Sequence, residues 1–351
     1  MTLSGEIRVG VIGATGYAGA ELVRILSEHP NARLAGLTTQ SYADKPFWEV
    51  YPHLYKHTDM MCQELDLPGL VEKSDVIFTA LPHGHSMPVA AEVLRQGKRL
   101  VDLGADFRFN NAGIYEKWYK LEHTEPIINQ QAVYGLPEIH RDSIKEARIV
   151  ANPGCYPTSA ILGLAPLLKN RLVETRGIVI DSKSGVSGAG RALSLNTHYC
   201  EVNESIKAYN VGVHRHTPEI EQELSLLAGE GLVVSFTPHL TPMNRGILGT
   251  IYANLKGSAG REEITGLYRE FYNDSPFVRI LPPGMLPATK SVCGSNHCDI
   301  GIVVDDRTGR VVVLSAIDNL IKGASGQAVQ NMNIMFGLPE DTGLGRPGMY
   351  P

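Results

Sequence analysis

The sequence predicts an α/β protein, with a Rossmann-type parallel-sheet domain followed by an α+β domain whose sheet is largely antiparallel. Three observations predict it. Residues 7–12 (IRVGVI) form a short β-rich apolar run that passes into a glycine-rich turn and then an amphipathic stretch. Up to residue 151, further short apolar runs alternate with helical stretches, the pattern of a parallel sheet covered by helices. From residue 177 onward most apolar runs succeed one another across turn residues.

At 351 residues the chain exceeds one ordinary domain. A division into 1–151 and 152–317 is expected, with residues 318–351 returning to the first domain. Hydrophobic residues make up 43%, charged residues 20%, and the net charge is −5, which excludes a large nucleic-acid footprint or a basic membrane surface. No apolar run reaches the ~18 residues of a membrane span, and strand-like sequence already begins at Ile7, with no charged leader before it. Five scattered cysteines, an odd number, do not form a disulfide framework. A reducing cytoplasmic location is expected.

After the first strand comes Gly13-Ala-Thr15-Gly16-Tyr17-Ala-Gly19, then the apolar-periodic residues 20–26. The spacing is G-x-x-G-x-x-G, so the strict dinucleotide fingerprint is broken. Its physical logic survives: a tight turn, close backbone approach and a phosphate at a helix N-terminus. The next strand, residues 33–37, ends in Thr38-Thr39-Gln40-Ser41, where an NAD-binding protein places an acid for the ribose 2′-hydroxyl. Hydroxyls there, with Lys45 beyond, suit a 2′-phosphate, so NADP is favoured.

Residues 75–81 (DVIFTAL) form a third strand ending at Pro82-His83-Gly84-His85-Ser86, and residues 99–103 a fourth. In a parallel sheet, ligands gather at the carboxyl ends of strands. Residues 82–86 and 104–108 are therefore expected to face cofactor or substrate. Asp106 and Arg108, two apart after a buried strand, form a candidate anion site. Residues 109–135 are read as a long, weakly periodic loop rich in aromatics.

The strand 148–151 delivers Asn152-Pro-Gly-Cys155-Tyr-Pro-Thr158. Gly154 permits a tight turn, and Pro157 suits the first turn of the apolar helix that continues over 159–168. The Cys155 thiol is thereby placed at a helix start, where unpaired N–H groups and the helix dipole favour the reactive thiolate. The competing reading is a buried, inert cysteine.

Strands follow over 177–182, 232–237, 247–255, 300–305 and 311–316, the last two joined as a hairpin. Residues 182–191 (SKSGVSGAGR) form a donor-rich loop suited to closing over phosphate or nicotinamide, carrying Lys183, Ser187, Gly188 and Arg191. His214-Arg215-His216 enters an amphipathic helix, offering a base near neutral pH and anion donors, with Glu219 just inside. Zinc at His-x-His is the rival. No metal is expected, since Cys293, His297 and Cys298 would have to converge from far away. Residues 319–332 are expected to be helical, opening at Asn319.

Jointly, GATGYAG from Gly13, ALPHGHS from Ala80, LGADFR from Leu103, YGLPE from Tyr134, NPGCYPT from Asn152, SKSGVSGAGR from Ser182, HRHTPEI from His214, PHLTPMNRGI from Pro238 and NLIKGASGQAVQNMN from Asn319 cover nearly the whole chain. In them the sequence resembles the N-acetyl-γ-glutamyl-phosphate reductases of arginine biosynthesis, within the wider semialdehyde dehydrogenase superfamily. The resemblance implies NADPH-dependent reductive dephosphorylation of an acyl phosphate to a semialdehyde, through a thioester on Cys155. Acid–base work is expected of His216 ahead of His214, and residue chemistry offers Arg108, Lys183, Arg191 and Arg215 as donors to the substrate's phosphate and carboxylate, with Glu219 as a further substrate contact. Gly13, Thr15, Gly16, Tyr17, Gly19, Thr38, Ser41, Pro82, Ser187, Gly188 and Asn319 are the candidate cofactor contacts. Expected partners are the acyl phosphate, inorganic phosphate and further copies of the chain, as a homodimer or homotetramer. Three alternatives stay open: an aspartate-semialdehyde dehydrogenase, a non-catalytic NADP-binding redox sensor and a cysteine hydrolase. The first typically carries a histidine where this chain has Ile247.

Overall fold

The computed structural model describes residues 6–350. Two compact units divide it, one running to Pro153 and including Ala324–Gly345, the other running from Gly154 to Gly323 and including the chain from Arg346 on. Residues 346–350 join the second unit through the Met349 N–H, which donates to the Cys293 carbonyl (2.8 Å), and through Gly348. A Cβ on Gly348 would stand 2.3 Å from the Ser291 carbonyl oxygen.

In the first unit the described residues form β1 (Ile7–Ile12), β2 (Ala32–Thr38), β3 (Cys62–Gln63), β4 (Val76–Thr79), β5 (Arg99–Asp102), β6 (Val133–Tyr134) and β7 (Ile149–Ala151). They make one sheet, ordered β3-β2-β1-β4-β5-β7-β6, with every pairing parallel. A sheet covered on both faces needs strands apolar on both sides, and β4 and β7 are buried at every position. Its core joins Ile12, Ile77, Leu100 and Ile149 to Val89, Ala90 and Val93 of the helix Met87–Arg95. The strand order reverses between β1 and β4, a switch point at which such sheets bind ligands.

Two readings of the sequence are corrected in this unit. The stretch 109–135 is not one loop, because Ala112–Tyr119 is a helix, capped by the Asn111 side chain, and Pro126–Asn129 and β6 follow it. Tyr115 and Tyr119, four apart, stack with ring centroids 4.9 Å apart and bury that face. The final helix begins at Gly326, after one turn of π-helix over Ile321–Ser325. It is buried at every position through Met335, polar residues included, and those are bonded: the Asn331 amide donates to the Gly135 carbonyl (2.8 Å) and to Asn152 Oδ1 (3.1 Å).

The second unit holds β8 (Ile178–Ser184), β9 (Lys207–Ala208), β10 (Val234–Leu240), β11 (Ile247–Asn254), β12 (Val278–Ile280), β13 (Cys298–Asp305) and β14 (Arg310–Ile317), ordered β12-β13-β14-β11-β8-β10-β9. The pairs β8–β10 and β12–β13 are parallel and the rest antiparallel, so the sheet is mixed but mostly antiparallel. The helix Cys155–Lys169 packs on one face so closely that a Cβ on Gly163 would lie 2.8 Å from Ile251 Cδ1. Pro166 inside that helix has no N–H for the Leu162 carbonyl, and the Tyr272 hydroxyl donates to that carbonyl instead (2.6 Å). Strand alternation then sorts β8: Ile178, Ile180, Ser182 and Ser184 are buried, whereas Val179, Asp181 and Lys183 project from the opposite, partly open face.

Candidate active site

The first unit carries the glycine turn. Gly13 sits at φ 83°, and a Cβ there would stand 2.4 Å from the Ala80 carbonyl oxygen, so β1 can turn beside β4 only with glycine. The Gly13 and Ala14 N–H groups donate to the Thr38 carbonyl (3.2 and 3.0 Å), tying the turn to the end of β2. Gly16 caps the helix Tyr17–Leu26 in an extended conformation, and a Cβ on Gly19 would lie 2.3 Å from the Gly13 carbonyl oxygen, so helix and turn are in direct contact. Thr15 Oγ1 and Thr39 Oγ1 bond at 2.8 Å, and the Tyr51 hydroxyl donates to the Thr15 carbonyl (2.9 Å). At the end of β2, Thr38 is buried while Ser41 is exposed, with Lys45 exposed further on. A glycine-bounded cradle at a helix N-terminus, beside a hydroxyl-bearing strand end with no acid at positions 38–41, fits the phosphates of a dinucleotide.

Pro82 begins the loop after β4, and two buried carboxylates hold that loop. Asp106 accepts from the Gly84 N–H (2.7 Å), the Ser86 N–H (2.9 Å) and the Tyr115 hydroxyl (2.9 Å). Asp102 accepts from Thr79 (2.6 Å), Ser86 (2.7 Å) and the Gly104 N–H (2.9 Å). Burial first, and then the neighbouring Asp106, push the Asp102 carboxyl up to about 6. Arg108, expected as an anion donor, is 5% exposed and gives N–H groups to the carbonyls of Asn152 and Leu103 (both 2.8 Å).

The nucleophile candidate lies in the second unit. Cys155 is the first residue of its helix, behind Gly154 in an extended conformation (φ −67°, ψ 154°). Pro157 falls in the first turn, where its missing N–H has no helical partner to lose. Three neighbours crowd this start. The Gly154 N–H donates to the buried Glu219 carboxylate (2.8 Å), a Cβ on Gly154 would stand 2.5 Å from His216 Nε2, and a Cβ on Gly323 would stand 2.7 Å from Cys155 Cβ. Glu219, expected as a substrate contact, is thus placed on the backbone behind the thiol.

His216 is the N-cap of the helix Thr217–Ala228, and its N–H donates to His214 Nδ1 (3.1 Å). The His214 ring sits among Tyr156, Tyr209, Phe236 and His216, with centroids 4.9–5.5 Å apart. Burial, and secondarily Arg215, push its imidazole down to about 4, which leaves it neutral near pH 7. The two histidines, alike in sequence, are therefore distinguished by their surroundings.

Two residues went unread in the sequence. The hydroxyls of Tyr156 and Tyr209 bond at 2.9 Å, and burial holds both phenols protonated, Tyr209 pushed up to about 12, with a Cys155 thiolate charge adding to the effect on each. Tyr156 had a sequence signal, being next to Cys155. Tyr209 had none, because it comes from the β9 segment.

Among the loop candidates, the Asn319 amide accepts from the Gly246 N–H (2.8 Å) and donates to Ser187 Oγ (3.0 Å), with Gly188 alongside. Lys183 is not brought to the Cys155 side of the sheet. It pairs with Asp181 (2.8 Å) on the opposite face, and His239 Nδ1 approaches the same carboxylate oxygen (3.1 Å). Arg191 and Arg215 are exposed. No group of three or more potential metal ligands occurs among the described residues, and none of their helices is long and apolar enough to cross a membrane.

Residues 8–147 match the NAD-binding domain of semialdehyde dehydrogenase, and residues 155–319 its dimerisation domain. The chain belongs to the semialdehyde dehydrogenase family. It is 66% identical over 345 residues to N-acetyl-γ-glutamyl-phosphate reductase of Pelotomaculum thermopropionicum, covering 98% of this chain and 99% of that one. The protein of the same name from Geobacter sulfurreducens is 57% identical, with 98% and 100% covered. Among solved structures, aspartate semialdehyde dehydrogenase II of Vibrio cholerae superimposes with a TM-score of 0.71 at 16% identity, over 94% of this chain and 98% of that one. The Candida albicans aspartate semialdehyde dehydrogenase with NADP gives 0.69 at 16%, over 94% and 98%. At such identity these two structures speak for the fold alone.

Proposed function

We propose that this protein is an NADPH-dependent N-acetyl-γ-glutamyl-phosphate reductase, converting N-acetylglutamyl 5-phosphate to N-acetylglutamate 5-semialdehyde in arginine biosynthesis. The observation that carries the chemistry is the convergence on Gly154-Cys155 of a helix N-terminus, the His216 imidazole and the buried Glu219. The substrate's carbon skeleton is supported by relatives 63–66% identical that carry that name over nearly their full length. The aspartate-specific alternative is disfavoured by Ile247, which is fully buried where a histidine would be needed.

The residues divide the work as follows. Cys155, as thiolate, attacks the acyl carbon and phosphate departs, leaving a thioester, a better hydride acceptor than the carboxylate from which the acyl phosphate derives. NADPH, when bound, supplies the hydride. Gly13, Gly16 and Gly19 form the phosphate cradle, and Ser41 suits the 2′-phosphate, with Thr38 supporting the turn through its carbonyl. His216 takes up the thiol proton, and after the hydride has reached the thioester carbon the oxyanion re-forms the carbonyl, the C–S bond breaks to release the semialdehyde, and His216 returns the proton to the departing Cys155 sulfur. His214, neutral and caged by aromatic rings, orients His216 through its backbone N–H. Assembly is proposed through the open face of the second sheet, where Val179, Leu248, Tyr252, Val312 and Leu314 are only partly buried, in a region whose family is described as a dimerisation domain.

The test is the reverse reaction, with NADP, phosphate and either N-acetylglutamate semialdehyde or aspartate semialdehyde. A higher kcat/KM for the first is expected, and for NADP over NAD. Preference for the aspartate compound would overturn the assignment of the carbon skeleton, and phosphate-independent turnover the assignment of an acyl phosphate. Sedimentation should give a dimer or larger assembly, which Leu314→Arg shifts toward monomer.

A further inference from the structure

The acyl phosphate of the proposed function, on which this inference rests, carries anionic oxygens at both ends and needs cations to meet them. Of the basic residues nominated by sequence, Lys183 faces away from the Cys155 helix against Asp181, and Arg108 is directed at backbone carbonyls. Arg191 and Arg215 are exposed, and Arg245 is a further cation, one tied to a buried carboxylate. It lies in the connection between β10 and β11, with its side chain 27% exposed and Nη1 3.5 Å from Oδ2 of Asp318, which is wholly buried. That separation is longer than a charge-assisted hydrogen bond of about 2.7–2.9 Å. Asp318 is held firmly elsewhere, by the Gly294 N–H (2.7 Å) and the Leu320 N–H (2.8 Å). The carboxylate is therefore a fixed charge that aims the guanidinium, and a guanidinium with five donors can bind an oxyanion while keeping such a neighbour.

Its surroundings place Arg245 at the site. The donor-rich loop zips onto this connection: the Gly185, Val186 and Ser187 N–H groups donate to the carbonyls of Gly246 (2.9 Å), Met243 (2.9 Å) and Asn244 (3.1 Å). A Cβ on Gly185 would stand 2.8 Å from the Arg245 nitrogen. The Asp318 carbonyl in turn accepts from the Gly323 N–H (2.9 Å), and Gly323 is the residue packed on Cys155. One turn of chain thus fixes both the arginine's anchor and the wall behind the thiol.

We propose that Arg245, positioned by Asp318, binds an anionic oxygen group of the acyl phosphate, either its phosphoryl group or its carboxylate. Arg245→Met and Arg245→Lys are compared with the parent in the reverse reaction, varying phosphate, semialdehyde and NADP in turn. Arg245→Met should lower kcat/KM about 100-fold, with KM for phosphate or for the semialdehyde rising at least about tenfold; whichever rises identifies the group held. KM for NADP should stay within about twofold, Arg245→Lys should fall between, and Asp318→Asn should move the same KM by a smaller factor. If KM for phosphate and for semialdehyde both stay within about twofold in a folded Arg245→Met, Arg245 does not bind the substrate. Should the parent itself turn over neither semialdehyde, the proposed function falls separately. Arg245 is then judged by the protection that phosphate or N-acetylglutamate gives Cys155 against iodoacetamide: a tenfold weakening in Arg245→Met supports it, and unchanged protection sinks it.

Discussion

Two helices in this molecule start in nearly the same way and serve different ends. Tyr17–Leu26 and Cys155–Lys169 each follow a strand, each is capped by an extended glycine, Gly16 (φ −74°, ψ 166°) and Gly154 (φ −67°, ψ 154°), and neither has a side-chain cap. Their glycines are required by different neighbours. A Cβ on Gly16 would meet only the Gly13 carbonyl oxygen, at an ordinary 3.7 Å, so the protein's own packing tolerates a methyl there. A Cβ on Gly154 would stand 2.5 Å from His216 Nε2. The first helix start has room for a methyl in the protein itself, whereas the second has none beside the His216 imidazole. In the proposed function the same dipole and helix-start N–H groups would serve phosphate binding in one unit and nucleophile activation in the other.

The largest effect is expected at the thiol. Cys155→Ser should lose at least about 10³-fold in kcat while binding NADP with the parent's affinity, measured by steady-state assay and by fluorescence titration. Loss of cofactor binding instead would mean that the second helix start serves the dinucleotide. Next in size are the histidines. His216→Asn should lower kcat by about 10²–10⁴-fold and remove one limb of the pH–rate profile, whereas His214→Asn should act mainly on KM and keep both limbs. The reverse ranking would make the caged imidazole the acid–base.

The glycines test the contrast itself. Gly154→Ala should displace His216 and lower kcat by about 10²-fold, with NADP affinity unchanged. Gly16→Ala should raise the Kd for NADP about tenfold, or about 1.4 kcal/mol, with little change in melting temperature or in Cys155 alkylation rate. Matching effects of the two substitutions would erase the distinction drawn between the helix starts.

The smallest expected effects are on stability against pH, and here the two units should respond in opposite directions. Asp102 in the first unit has its carboxyl raised to about 6, so the folded state binds its proton more tightly than the unfolded chain does. Its contribution is present at low pH and is lost as pH rises from the usual carboxylate range through about 6. His214 in the second unit is lowered to about 4, so its contribution is full above the ordinary histidine range and is lost as pH falls toward 4. Melting curves from pH 4 to 8 should change slope in Asp102→Asn and in His214→Asn in opposite senses, and equal slopes to the parent would count against both assignments.

Sequence alone determined what is local. The strand, glycine turn and helix over residues 7–26, the thiol at a helix start and the hydroxyl-rich end of β2 follow from periodicity, glycine's freedom and proline's missing donor, each decided within a few residues. Tertiary structure decided the rest. The face of β8 that Lys183 occupies depends on which side the Cys155 helix covers, and alternation fixes the side only once that helix has packed. The helix Ala112–Tyr119 is recognised by the stacking of Tyr115 on Tyr119, a burial that its short stretch of sequence does not announce. His214 and His216 share one motif, and it is packing among Tyr156, Tyr209 and Phe236, with Arg215 adding to the burial, that lowers the His214 imidazole, while His216 comes up against Gly154. Tyr209 is a single residue with no motif, brought to its place beside Tyr156 by edge pairing, and Arg245, although inside PHLTPMNRGI, is set apart from its neighbours there by a buried carboxylate. Interactions of this kind depend on distance and solvent exclusion between residues far apart in the chain, quantities that a linear pattern does not contain.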